Sequence, residues 1–289
     1  MIALTFNANL SAVSLQHLKS KQDVIDAIAD FAGRSDRAKI SWNGKTGSNA
    51  GKAAFREIKE RLLEMGVGTE ICNYCEQNEG TDIEHIEPKD WFPAKTFKWE
   101  NYLLACRTCN TDHKNNKMAV FDGNDVRMDV SAEPLNDDIL LINPRREDPM
   151  DFLWLNIQRG VFVAHPDLLQ ELRSIQKAEY TIELLGLNLR NTLIESRKSA
   201  ALYYLDRLER YANIKETTTF DEIEAATNPL TVVTRAQPLQ VEKDRILQDV
   251  KQSIISYAHP TVWRELIRQR EDLPRTNALF ARVPEALAW

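Results

Sequence analysis

The sequence predicts an α+β protein, mostly helical, in which a small zinc-stapled core sits between helical flanks. Three observations carry that expectation. All four cysteines fall between Cys72 and Cys109, arranged as two CxxC pairs. Apolar residues recur at spacings of three and four on both sides of that region, the period of amphipathic helices. Short apolar runs bounded by turn formers lie between and behind the cysteine pairs, which is the pattern of strands.

Taken in order, Leu15, Leu18, Val24, Ile25, Ile28 and Phe31 fit one helical face over residues 14–31, with Gly33 as the stop. The stretch SWNGKTGSNAGK, residues 41–52, is rich in turn formers and reads as an exposed loop. Its Lys45 and Lys52 are basic, but the spacing is not the GxxxxGK[ST] of a nucleotide-binding loop. A second helix over residues 53–65 aligns Phe55, Ile58, Leu62 and Met65, and Gly66 ends it. Beyond the cysteines, DILLINP (138–144) reads as an apolar strand and FLWLNIQRGVFVAHP as a hairpin around Arg159-Gly160. From Asp167 the pattern turns helical through Leu168, Leu169, Leu172, Ile175, Ala178, Ile182 and Leu185, with Gly186 as the C-cap. A long helix follows over 189–211, then a connection at 215–240 and two helices at 241–258 and 260–270. The implied organisation is a helical region (1–66), a zinc-stapled core (67–128), a β-hairpin with helical extension (129–214), and a linker with C-terminal helices (215–289).

Composition narrows the function classes. At 43% hydrophobic and 28% charged, with 10 Gly and 11 Pro, the chain is neither collagenous nor disordered. No apolar run approaches bilayer length, and MIALTFNANL has neither a basic n-region nor a long apolar core, so a cytoplasmic protein with no membrane partner is expected. Lys plus Arg number 37 against 43 Asp plus Glu, a net charge of -6. That balance excludes gripping nucleic acid by bulk electrostatics, so any polyanion site must be local, metal-assisted or partner-assisted.

Cys72 and Cys75, with Cys106 and Cys109, supply four soft thiolates at knuckle spacing, the tetrahedral donor set that Zn²⁺ prefers. The set is closed, with no open position for substrate, so the zinc is structural and staples a loop of about thirty residues. Inside that loop, DIEHIEP couples Glu84 to His85 between Ile83 and Ile86. A short strand sends the two side chains to opposite faces, and a strand tip holds both near one site. Without the zinc frame the pair reads as a surface histidine beside a solvated acid. WENYLLAC then sets Asn101 before an apolar run, and CRTCN sets Asn110 beside Cys109 at a helix start.

EHIEP, WENYLLAC and CRTCN within two CxxC knuckles resemble the HNH endonucleases and their ββα-metal core, over about fifty residues. The resemblance implies that His85 is the general base, that Glu84 and Asn110 hold a catalytic divalent metal, and that Asn101 orients the loop bearing the base. Oxygen donors imply Mg²⁺ or Mn²⁺. The chemistry is coherent: phosphodiester hydrolysis needs a base poised near neutrality and a hard cation to neutralise the phosphorane. Two features depart from the common pattern. Glu84 stands where many relatives have Asp, and in CNTDHKNNK it is His113 that occupies the usual lysine position, followed by Lys114 and Lys117. Those three, with Lys89, are the candidates for phosphate contact, their alternative being an exposed helix face. Trp91, Phe92 and Trp99 read as packing, and His17, His165 and His259 as structural or solvated.

Further on, DILLINPRREDPMDFLWLNIQRGVF and AEYTIELLGLNLRNTLIESR are similar to the downstream part of the PtuB-like HNH nucleases of Septu and retron defence systems. This extends the resemblance to residues 50–210 and implies a PtuA-type ATPase as partner. The resulting expectation is a metal-dependent nuclease, with DNA as first substrate. An RNase or tRNA nuclease of the same fold and a non-catalytic zinc adaptor are the alternatives.

Overall fold

Three helices open the chain, each started by a side chain that accepts from an otherwise orphaned backbone N–H. Ser11 caps α1 (Ala12–Asp26), Asp30 caps α2 (Phe31–Asn43) and Ser48 caps α3 (Asn49–Met65). The single helix expected over residues 14–31 is thus two. The Asp30 carboxylate accepts from Gly33 N at 2.8 Å and starts a new helix, so Gly33 lies in the first turn of α2 rather than at a stop. A Cβ at Gly33 would lie 2.8 Å from Ile28 and 2.9 Å from the Asp30 carboxylate, so a larger residue there displaces one of them, the capping group included. The loop expected over 41–52 shrinks to 44–48, which leaves Trp42 on α2. The α3 face is the expected one: Phe55, Ile58, Leu62 and Met65 are buried.

This computed structural model describes residues 1–4, 8–67, 70–77, 79–168 and 170–289. The chain divides into two compact units, one formed by 1–156 with 161–193 and the other by 157–160 with 194–289. The division falls between Leu193 and Ile194, not at the 215–240 connection used as a boundary in the sequence reading. Leu169, assigned there to a helix, lies outside the described residues.

In the first unit, β1 (Asp82–His85) and β2 (Tyr102–Ala105) pair antiparallel, with Glu84 opposite Leu103 and His85 opposite Tyr102. A π-helical turn, Thr108–Lys114, follows β2. A second pair joins β3 (Ala119–Phe121) to β4 (Arg127–Asp129). The apolar run DILLINP is buried but is not a strand. It meets the β3 edge for one bridge, Ile139 with Val120, and then Ile142 N donates to Thr181 Oγ1 at 3.0 Å, so the next ladder donor is spent on a helix. The expected hairpin is present as β5 (Leu153–Asn156) and β6 (Val161–Ala164). Helix α4 (Leu172–Leu184) ends at Gly186, whose φ of +57° only glycine adopts freely, with Leu187 N returning to Ile182 O.

The second unit is helical. It comprises most of α5 (Asn191–Glu216), then α6 (Phe220–Ala226), α7 (Leu239–Ile255), α8 (Pro260–Arg268) and α9 (Pro274–Arg282). Ile214, Ile223 and Ile246 form its buried centre from α5, α6 and α7. Two helices are absent from the sequence reading. Helix α6 lies within the expected connection, started by a capping box of Thr219 and Glu222, and α9 begins at a proline. The molecule is α+β and mostly helical, and among the described residues no helix is long and apolar enough to cross a membrane.

Candidate functional site

The four cysteines converge. All are buried, none is in a disulfide, and their sulfur atoms lie within 4.8 Å of one another. Zinc with bonds of about 2.3 Å spaces tetrahedral sulfurs about 3.8 Å apart, and Cys75 Sγ lies 3.9 Å from Cys106 Sγ. The donor set therefore fits a metal such as zinc. Local structure explains the convergence. The first knuckle is tied to β2 by Asn73, whose N donates to Leu104 O and whose Oδ1 accepts from Leu104 N, both at 2.8 Å. Gly80 N closes the knuckle loop on Glu70 O at 2.8 Å, and a Cβ at Gly80 would strike Ile71 O. The second knuckle runs from β2 into the π turn, where Cys109 N donates to Cys106 Sγ at 3.4 Å. Arg190 places its guanidinium 3.5 Å from Cys109 Sγ, a positive charge suited to a cluster of thiolates.

Next to this cluster, the end of β1 forms one wall of a small, strongly polar cleft of about 90 Å³. Glu84, His85, Lys89, Asn110 and Lys114 all line it. His85 is 5% exposed, its Nε2 lies 2.8 Å from Thr96 O, and the Trp42 ring stands edge-on at 4.1 Å. A carbonyl only accepts, so Nε2 carries the proton and Nδ1 keeps the lone pair. Burial pushes His85 down to about 3, against the Thr96 hydrogen bond, which favours the imidazolium. The ring is accordingly neutral at neutral pH.

Asn101 clasps the connection between the strands. Its Oδ1 accepts from Glu87 N at 2.8 Å, and its Nδ2 donates to Glu87 O and Lys95 O, both at 3.0 Å. Ile86 N donates to Asn101 O at 2.9 Å, so both ends of the loop behind His85 are pinned to one residue. Asn110 Nδ2 donates to Asp82 Oδ2 at 3.2 Å, which leaves its Oδ1, the atom a hard cation takes, uncommitted to that carboxylate. Glu84 and Asn110 thus offer oxygen donors on one cleft, a set that suits a hard divalent cation.

Lys114 has no exposed surface. Its Nζ lies 2.6 Å from Glu84 Oε1 and 2.8 Å from His85 O. The π turn is what delivers it: Asn115 N bonds to Asn110 O, five residues back, so one extra residue is wound into the turn. Lys114, rather than residue 113, then faces the strand. Burial pushes Glu84 up, and the Lys114 charge acts in the opposite direction.

Of the residues singled out from sequence, Glu84, His85, Asn110, Lys89 and Lys114 share the cleft, and Asn101 braces it. His113 and Lys117 do not join them. They line a separate cavity with Arg127, Tyr180 and Leu189, and the His113 ring is packed so closely on Gly186 that a Cβ there would lie 2.4 Å from it. Trp99 is packing, stacked by Arg145 with its Nε1 donating to Ala8 O at 3.1 Å. Sequence reasoning missed Trp42, Thr96 and Tyr102, which frame His85; Tyr102 Oη also donates to Thr96 O, at 2.7 Å. The signal for Trp42 was present, since Ser35, Ala38 and Trp42 share the buried face of α2 at helical spacing.

No protein-family profile matches the chain. Among curated proteins it is similar to Septu protein PtuB of Bacillus mycoides (strain KBAB4), 28% identical over 113 residues, covering 33% of this chain and 37% of that protein. It is also similar to Septu protein PtuB of Bacillus thuringiensis, 38% identical over 58 residues, covering 18% of this chain and 22% of that protein. The matched stretches thus span well under half of either relative.

Proposed function

We propose that the chain is a metal-dependent HNH-type endonuclease, its ββα-metal core built from β1, β2 and the π turn, and that it is the nuclease component of a Septu-type antiphage system under the control of a PtuA-type ATPase. The observation that carries this reading is the shared cleft: Glu84, His85 and Asn110 on one polar cavity beside four metal-competent cysteines. Similarity to two proteins named for the Septu system supports the biological setting.

In this reading His85 Nδ1 takes the proton of the attacking water, its ring fixed by Thr96 and Trp42. Glu84 and Asn110 would hold Mg²⁺ or Mn²⁺, which when bound supplies charge neutralisation at the phosphorane and the leaving oxygen. Lys89, on the cleft wall, is the phosphate contact. Asn101 keeps the loop behind the base in place, and the cysteines hold structural Zn²⁺. Contacts to phosphate carry no base identity, so DNA as the first substrate and RNA as the second are separated only by assay.

The test offers zinc-loaded protein duplex DNA, single-stranded DNA and tRNA with Mg²⁺ or Mn²⁺, with and without a PtuA-type ATPase. Metal-dependent cutting of one of these identifies the substrate. No cutting under any combination sinks the nuclease reading. A non-catalytic zinc adaptor is the second reading, and the observation favouring it is the Lys114 ammonium already seated on Glu84. In an adaptor, His85→Ala leaves phage protection intact.

A further inference from the structure

We infer that Lys114 is a built-in counter-cation for Glu84, so that a divalent cation enters the cleft only together with a substrate phosphate. The inference rests on the metal-dependent reading above and deepens it by assigning the order of binding. Lys114 touches the strand tip twice, on the Glu84 carboxylate and on the His85 carbonyl, and it has no exposed surface. It reaches that position because of the extra residue in the π turn.

The formal charges on the cleft are balanced. Glu84 is matched by Lys114 at 2.6 Å, Asp90, also on the wall, faces Lys89 at 3.9 Å, and Asp82, which holds Asn110 at 3.2 Å, is answered by Lys45 within electrostatic reach of it. His85 and Asn110 add no formal charge. A divalent cation entering this cleft alone brings two positive charges that no surplus acid answers, at short range where screening is weakest. A phosphodiester brings the missing negative charge. Lys114 is therefore a positioning residue that acts through Glu84, fixing one carboxylate oxygen and raising the threshold for metal entry.

The experiment measures Mn²⁺ binding by electron paramagnetic resonance on zinc-loaded, full-length protein in metal-free buffer. It compares wild type, Lys114→Met, Glu84→Gln and the double variant, alone and with a short phosphorothioate DNA duplex. The expected result is weak binding by wild type alone. Lys114→Met should bind Mn²⁺ tighter by about tenfold or more, and adding Glu84→Gln to it, in the double variant, should remove the gain. The duplex should tighten wild type more than it tightens Lys114→Met. Lys114→Met leaves Glu84 buried without its partner, so Lys114→Gln, which still donates to the carboxylate, serves if the first variant does not fold. The double variant reports whether packing survives without either charge, and its melting temperature should not respond to Mn²⁺. A folded Lys114→Met or Lys114→Gln that binds Mn²⁺ no tighter than wild type, while wild-type binding still depends on Glu84, overturns the inference and leaves the nuclease reading standing. No Glu84-dependent Mn²⁺ binding in any folded variant, with or without duplex, sinks both.

Discussion

His85 is held as a neutral imidazole by its surroundings. The Thr96 carbonyl fixes the tautomer, the Trp42 and Tyr102 rings fix the plane, and burial disfavours the charged form. The consequence for stability has a definite sign. A folded-state value near 3, depressed from 6.5, means that the unfolded chain takes up a proton first as pH falls. This contribution is complete above pH 6.5 and is lost as pH falls toward 3. Wild type should therefore lose stability relative to His85→Ala over that range, by up to about 1.4 kcal/mol per pH unit. Urea unfolding of both proteins at pH 7 and pH 5.5 measures it, and parallel losses would contradict the assignment. Asn101 gives a second residue-scale prediction. Asn101→Ala removes three hydrogen bonds, two of them buried, and should cost about 1–3 kcal/mol. Faster amide exchange over residues 86–95 is the accompanying signature. Glu84, Asn101 and Asn110 were legible through the motifs EHIEP, WENYLLAC and CRTCN and their family resemblance, and the first and last of them line the cleft that Asn101 braces. Lys114 was named only as a candidate phosphate contact, and its seat on Glu84 was not legible: offset counting assumes regular helix, and one extra residue in the π turn moves the lysine to face the strand and His113 to face Gly186.

At the scale of elements, the cysteine quartet is the organising feature, because the described residues between the knuckles form only two four-residue strands and short helical turns. Cys106→Ser should lose zinc, measured by elemental analysis, and lower the melting temperature. Removing the metal from wild type with a strong chelator should reproduce that loss, because a closed cysteine site contributes its binding free energy to folding. A chelated protein that melts where the loaded one does would count against a structural role. In the hairpin, Gly160 takes φ +68°, and a Cβ there would lie 2.5 Å from Ile194 O. Gly160→Ala should accordingly destabilise by more than about 1 kcal/mol in thermal melts. The caps show why element boundaries were harder to read than element existence. Asp30 and Ser48 each hold a first-turn N–H, and these local bonds decided where α2 and α3 begin against the turn-forming residues nearby. DILLINP shows a different limit. Its apolarity correctly marked burial, but its backbone partner came from Thr181, distant in sequence.

For the whole molecule, a net charge of -6 and a charge-balanced cleft supply no bulk electrostatic attraction for nucleic acid. Binding to duplex DNA should be weak. Its salt dependence should be shallow, corresponding to about two or three phosphate contacts at about -0.9 each in the log–log slope. A fluorescence anisotropy titration at several salt concentrations tests this, and a slope steeper than about -5 would require a basic surface that the composition does not supply. This is the physical reason to expect a partner that presents substrate. The division of the chain between Leu193 and Ile194 was not legible, because it falls within the first turn of a continuous helical pattern.

In the proposed function His85 is the base of a phosphodiester-cleaving site. The most direct measurement is single-turnover cleavage by wild type and His85→Ala, both zinc-loaded, in Mn²⁺ and with a PtuA-type ATPase present, on whichever substrate wild type cuts. The account predicts a loss of about 10²–10⁴-fold with zinc content retained and a cooperative fold preserved. Cleavage by His85→Ala at the wild-type rate would contradict it.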